Sequence, residues 1–155
     1  MKIIFLDIDG VLNNRAYLEY VIEIGKHKKG GLVPFDPDSI KVLNEIISET
    51  GAEVVLSSSW RFMGLKIVQE KLESAGFTHK LKDVTPLIND APRGWEIEKW
   101  MGDFKYSRGG SISSYLILDD DSDMMYDQRD NFINTDFDTG FRRIHKPKAL
   151  KILKK

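Results

Sequence analysis

The chain has 155 residues, no cysteine and a formal net charge of −1, with 41% hydrophobic and 30% charged residues. That length suits a single domain over residues 1–155 with one substantial core, and the balance is ordinary for a globular protein. The near-zero charge excludes bulk attraction to nucleic acid or to an anionic membrane, and the absent thiols exclude disulfides, thiolate nucleophiles and Cys-ligated zinc. No run approaches the length of a membrane-spanning helix, and the amino terminus lacks a signal-peptide pattern, so the expected location is cytoplasmic.

Residues 3–6, Ile-Ile-Phe-Leu, form a continuous apolar run and predict a strand buried on both faces of a parallel sheet. The run ends in Asp7-Ile8-Asp9-Gly10. On an extended backbone positions i and i+2 point the same way, so Asp7 and Asp9 are expected to project together, with Gly10 permitting a turn. Two such acids repel unless a cation lies between them, and Mg²⁺ prefers hard oxygen ligands. Residues 14–35 then break the pattern: Tyr17, Leu18, Tyr20, Val21, Ile22 and Ile24 precede a basic stretch, Lys26-His27-Lys28-Lys29-Gly30-Gly31. This segment reads as a flap over the site, or as an ordinary solvated loop.

Asp36-Pro37-Asp38 starts a helix, with a capping acid and proline in the first turn; Ile40, Leu43, Ile46 and Ile47 follow at helical spacing up to Gly51. Residues 53–56 predict a strand ending in Ser57-Ser58-Ser59-Trp60-Arg61, and residues 64–75 a helix with Leu65, Val68, Leu72 and Ala75 inward. Residues 81–84 form a weak strand, and Pro92 opens a helix carrying Trp95, Ile97, Trp100 and Met101, with both tryptophans assigned to the core. Residues 115–118 form another buried strand running into Asp119-Asp120-Asp121-Ser122-Asp123; a short strand at 132–134 and a helix from Pro147 complete the chain. The alternation predicts an α/β, Rossmann-like three-layer sandwich: a mainly parallel central sheet, helices on both faces, a small flap and no large cap.

In such a sheet the carboxyl ends of the strands share one edge, where ligands bind. Asp7 and Asp9, Ser57, and Asp119 and Asp120 therefore converge, joined by Arg93 at the start of the third helix. Acids, a hydroxyl, a fixed cation and an implied metal suit phosphoryl transfer. A calcium loop fits poorly: counting from Asp7 the twelfth position is Leu18, and counting from Asp119 the sixth is Met124 where glycine is needed. Ser58 and Ser59 can equally cap a turn. His27, His79 and His145 share no ligand spacing.

Phe5-Leu6-Asp7-Ile8-Asp9-Gly10-Val11-Leu12, Val54-Val55-Leu56-Ser57, Arg93 and Leu116-Ile117-Leu118-Asp119-Asp120 resemble, in order, the four motifs of the haloacid dehalogenase superfamily of phosphohydrolases. Leu56-Ser57-Ser58-Ser59-Trp60-Arg61, Arg93-Gly94-Trp95-Glu96-Ile97 and the acidic run to Asp123 further resemble its small capless branch, which includes domains associated with RNA end repair. The third motif is more often lysine; here the helix offers Arg93.

The resemblance implies that Asp7 is the nucleophile and Asp9 the general acid and base. It implies Mg²⁺ held by Asp7, the Asp9 backbone carbonyl and either Asp119 or Asp120, with Asp123 orienting the ligand, while Ser57 and Arg93 meet the phosphate. Ser58, Arg61, Lys28 and Lys29 are candidates for substrate contact, with Lys26 beside them. The implied partner is a phosphorylated small molecule or polynucleotide end, with no membrane. The competing readings are a non-enzymatic phospho-receiver and a degenerate phosphate-binding module.

Overall fold

A computed structural model describes residues 1–154. Five strands, β1 (Lys2–Leu6), β2 (Glu53–Leu56), β3 (Leu81–Val84), β4 (Ser114–Asp119) and β5 (Phe132–Asn134), form one sheet in the order β3-β2-β1-β4-β5. Every pairing is parallel. The five α-helices are α1 (Arg15–Glu23), α2 (Pro37–Thr50), α3 (Leu65–Ser74), α4 (Arg93–Tyr106) and α5 (Lys146–Leu153). Among the described residues no helix is long and apolar enough to cross a membrane.

The period of two along β1 divides the core. Ile4 and Leu6 pack with Leu43 and Ile46 of α2, Leu72 of α3 and Ile152 of α5 on one face. Ile3 and Phe5 pack with Ile97, Trp100 and Phe104 of α4 on the other. The helices thus lie on both faces of an α/β sheet, the Rossmann-like layering expected from the alternation of elements.

α2 begins as its sequence predicts: the Asp36 side chain accepts from the Asp38 N–H at 2.9 Å, with Pro37 in the first turn. Residues 14–35, which the sequence offers as a flap or a solvated loop, open with the helix α1. Asn14 caps that helix by accepting from the Tyr17 N–H at 2.8 Å, and only Val21 in it is buried. Tyr20, Ile22 and Ile24 are exposed beside the inward Leu18 and Val21, so apolar residues on both faces blur the helical period in the sequence. The segment leaves and returns at one point, where Asn13 bridges Phe35 and the Asp36 N–H donates to the Leu12 carbonyl at 2.7 Å. Trp95 also departs from expectation: it is 59% exposed, whereas Trp100 is buried.

Strand register places the chemistry. Leu6 pairs with Leu56 on one side and with Leu118 on the other, so the residues that follow each strand end lie side by side. The ladder continues one step further: the Asp7 N–H donates to the Leu118 carbonyl at 2.9 Å and the Ser57 N–H to the Leu6 carbonyl at 2.8 Å.

Candidate active site

Asp7, Asp119 and Asp120 each offer a carboxylate oxygen within 4.8 Å of the others. They come from the ends of adjacent strands, so the sheet itself sets their spacing. Asp7 and Asp119 are buried, and Asp120 is partly buried. Beneath Asp120 lies Gly10, at φ +68°, where an added Cβ would come within 2.4 Å of the Asp120 carboxyl carbon. Any side chain at position 10 would both strain the backbone and displace that carboxylate.

Arg93 is the cation that the fold brings to these acids. Its Nη2 lies 3.9 Å from Asp7 and its Nε 3.6 Å from Asp119. The start of α4 is fixed from the acidic loop: Asp123 accepts the Arg93 N–H at 2.8 Å, and buried Gln128 donates to the Gly94 carbonyl at 2.9 Å. Gly94 permits this approach, since a Cβ there would meet the Met125 nitrogen at 2.6 Å. Asp123 therefore holds the helix that carries Arg93.

The Asp9 carboxylate is engaged elsewhere than between the strand-end acids. Its Oδ1 accepts from Asn13 Nδ2 at 2.7 Å and its Oδ2 from Trp60 Nε1 at 2.9 Å. The strand stops at Leu6, and the chain turns over the Ile8 carbonyl, which accepts from Val11, Leu12 and Asn13. The alternation that predicts Asp7 and Asp9 side by side ends with the strand. Any metal contact of Asp9 is left to its backbone carbonyl.

Ser57 is buried, with its Oγ 3.5 Å from Thr85 Oγ1. Ser58 is also buried; it caps the short turn after β2 by accepting from the Trp60 N–H at 3.3 Å, and it lies against Asp7. Arg61 lines the cavity beside Arg93 and is also tied down within the protein. It donates to Glu96 at 2.8 Å and to Thr85 at 2.7 Å inside the protein, tying the loop after β2 to α4. Lys28 and Lys29 are exposed and line neither of the two cavities that adjoin Asp9 and Arg93. Asn13 and Gln128, which hold Asp9 and the start of α4, are not singled out by the sequence, whereas Trp60 and Glu96 lie within the family-like motifs.

Burial pushes the Asp7 carboxyl up to about 7, against the pull of Arg93 and Ser58. Burial pushes Asp119 up to about 8, with the Asp7 charge adding to it. Burial raises Asp120 as well, followed by the charge of Asp121. These carboxyls keep protons in the folded state that the unfolded chain gives up near pH 4. Their contribution to stability is therefore complete below pH 4 and is lost as pH rises through about 7 and 8. Metal-free protein is expected to lose on the order of 5 °C in melting temperature between pH 5 and pH 8 relative to Asp119→Asn. The variant retains the opposing effect of His145, which burial holds below its ordinary value. Parallel melting curves in EDTA test this, and equal pH slopes for the two proteins would refute it.

The acids also meet the test of fit for a hard divalent cation. One guanidinium faces three carboxylates, all donors are oxygens, and Asp119 Oδ2 is buried with no hydrogen-bond partner.

The model of a family described as the HAD domain in Swiss Army Knife RNA repair proteins matches residues 3–145. No curated protein and no solved structure matches the chain. With the family match spanning the sheet and the whole acid cluster, the chain belongs to that branch of the haloacid dehalogenase superfamily.

Proposed function

We propose that this phosphatase-type domain is a Mg²⁺-dependent phosphomonoester hydrolase that works through an aspartyl-phosphate on Asp7, with a polynucleotide 3′-phosphate as substrate. The observation that carries this reading is the buried group of Asp7, Asp119 and Asp120 facing Arg93. The RNA repair setting in the family's description supports the choice of substrate. Asp7, Asp119 or Asp120, and the Asp9 carbonyl would hold Mg²⁺, which when bound offsets charge on the phosphoryl oxygens.

Asp7 attacks phosphorus; the bond from phosphorus to the leaving oxygen breaks, and Asp9 gives that oxygen a proton. Each Asp9 oxygen has two acceptor positions, so Asn13 and Trp60 leave room for this proton while fixing the carboxyl. Water then attacks phosphorus and passes a proton back to Asp9. Inorganic phosphate leaves, and Asp7 is a carboxylate again. Arg93, with a buried Nη1 that has no acceptor, and the Ser57 hydroxyl bind the phosphoryl oxygens.

Hydrolysis of p-nitrophenyl phosphate and of a 3′-phosphorylated oligonucleotide is expected with Mg²⁺ and not with EDTA. Phosphate release unaffected by EDTA would refute the metal dependence, and none under any metal condition would refute the enzyme.

A further inference from the structure

Asp9 is one wall of a cavity of about 420 Å³, a size within the range of small-molecule sites. Its apolar walls come from three separate stretches: Leu18 on α1, Val33 where residues 14–35 return to the domain, and Phe137 just after β5. Phe137 is half exposed. The Arg15 guanidinium stands 5.8 Å from its ring centroid and is held by Asp138 at 3.1 Å.

The cavity also touches Asn13 and Asn14, but their amides are engaged. Asn13 binds Asp9 and the Gly10 N–H; Asn14 binds Asp36 and the Tyr17 N–H. What remains open to a ligand is an apolar slot, one aromatic face, one cation and the Asp9 carboxyl.

An acid that protonates a leaving oxygen must lie within hydrogen-bond reach of it, so the rest of the leaving group occupies space that Asp9 borders. The separate cavity lined by Arg61, Arg93, Glu96 and Asp123 does not include Asp9. We propose that the cavity between Leu18, Val33 and Phe137 receives the terminal nucleoside of the substrate, its base stacked on Phe137 and Arg15 beside the preceding phosphate. This rests on the phosphatase reading above.

The slot offers mainly the apolar and aromatic surface of Leu18, Val33 and Phe137, which suits a base better than a polyol. A base needs a flat apolar surface and gains from an adjacent guanidinium. Because both amides are already oriented by their own hydrogen bonds, the slot discriminates little among the four bases.

The test compares kcat/KM for the four nucleoside 3′-monophosphates with that for glycerol 2-phosphate, which has no base. The wild type is expected to favour the nucleotides about tenfold or more, with the four bases within about threefold of one another. Phe137→Ala is expected to reduce that preference about tenfold, through KM, and Phe137→Tyr to retain it. A wild type without preference, or a Phe137→Ala protein that keeps it, overturns the assignment, as does a stronger preference for a phosphotyrosyl peptide. If nothing including p-nitrophenyl phosphate is hydrolysed, the phosphatase reading fails, and calorimetry of a nucleoside 3′-monophosphate with the Asp7→Asn protein tests the slot alone. Binding weakened by adding Phe137→Ala supports the slot; unchanged or absent binding overturns it.

Discussion

Asp7→Asn is expected to abolish turnover and, in EDTA, to raise the melting temperature. Removing a nucleophile that forms a covalent intermediate leaves no alternative attacking group, so kcat should fall by at least about 10⁴-fold. Stability moves the other way because burial already disfavours the Asp7 charge and the Asp120 charge opposes it. A neutral amide of the same shape relieves both. The gain should be largest near pH 8 and vanish near pH 4, where the native carboxyl is protonated as well. Added Mg²⁺ should stabilise the wild type more than the variant, which has lost one ligand. Residual activity above one part in a thousand would overturn the nucleophile assignment; an unchanged melting temperature in EDTA at pH 8 would overturn the electrostatic account.

Glu96→Ala should cost about 3–5 kcal/mol, because it strands the buried Arg61 guanidinium without its counter-ion. The two side chains are 4% and 9% exposed, and Arg61 Nε already lacks an acceptor. For a chain of this size the loss corresponds to roughly 10 °C in melting temperature. The pair joins the segment carrying Ser57 and Ser58 to the helix carrying Arg93, so activity should fall with stability. An apolar replacement of both partners, Arg61→Met with Glu96→Leu, should recover most of the stability, since no charge is then left buried. Denaturant titrations of the single and double variants decide the matter. A single variant within about 1 kcal/mol of wild type would show that water reaches Arg61 after all.

Elements whose signal is local are legible in the order of residues alone. The apolar runs of β1, β2 and β4 announce strands buried on two faces, and Asp36-Pro37 announces α2. Even the weak strand at Leu81–Val84 has the limits its sequence suggests. α1 is hidden because its apolar residues lie on both its inward and its exposed face, and the exposure of Trp95 is hidden because composition says nothing of which helical face meets the sheet. Arg93 stands out in the sequence as a cation at a helix start, where the dipole disfavours it. The residues that hold it and Asp9, namely Asp123, Gln128, Trp60 and Asn13, act through single hydrogen bonds. Such bonds leave no periodicity to read.

The sequence by itself determined that acids stand at the ends of two buried strands, that strands and helices alternate, and which family motifs the chain carries. Those properties follow from residue order, because side-chain period and strand polarity are local. Only the tertiary structure decided which carboxylates share a space. Parallel register set Asp7 beside Asp119, while the turn over Ile8 sent the Asp9 side chain to Trp60. It likewise turned Arg61 inward to Glu96 and left Lys28 and Lys29 in solvent. A charged side chain's partner depends on what packing brings within a few ångströms, and its neighbours in the chain do not specify that.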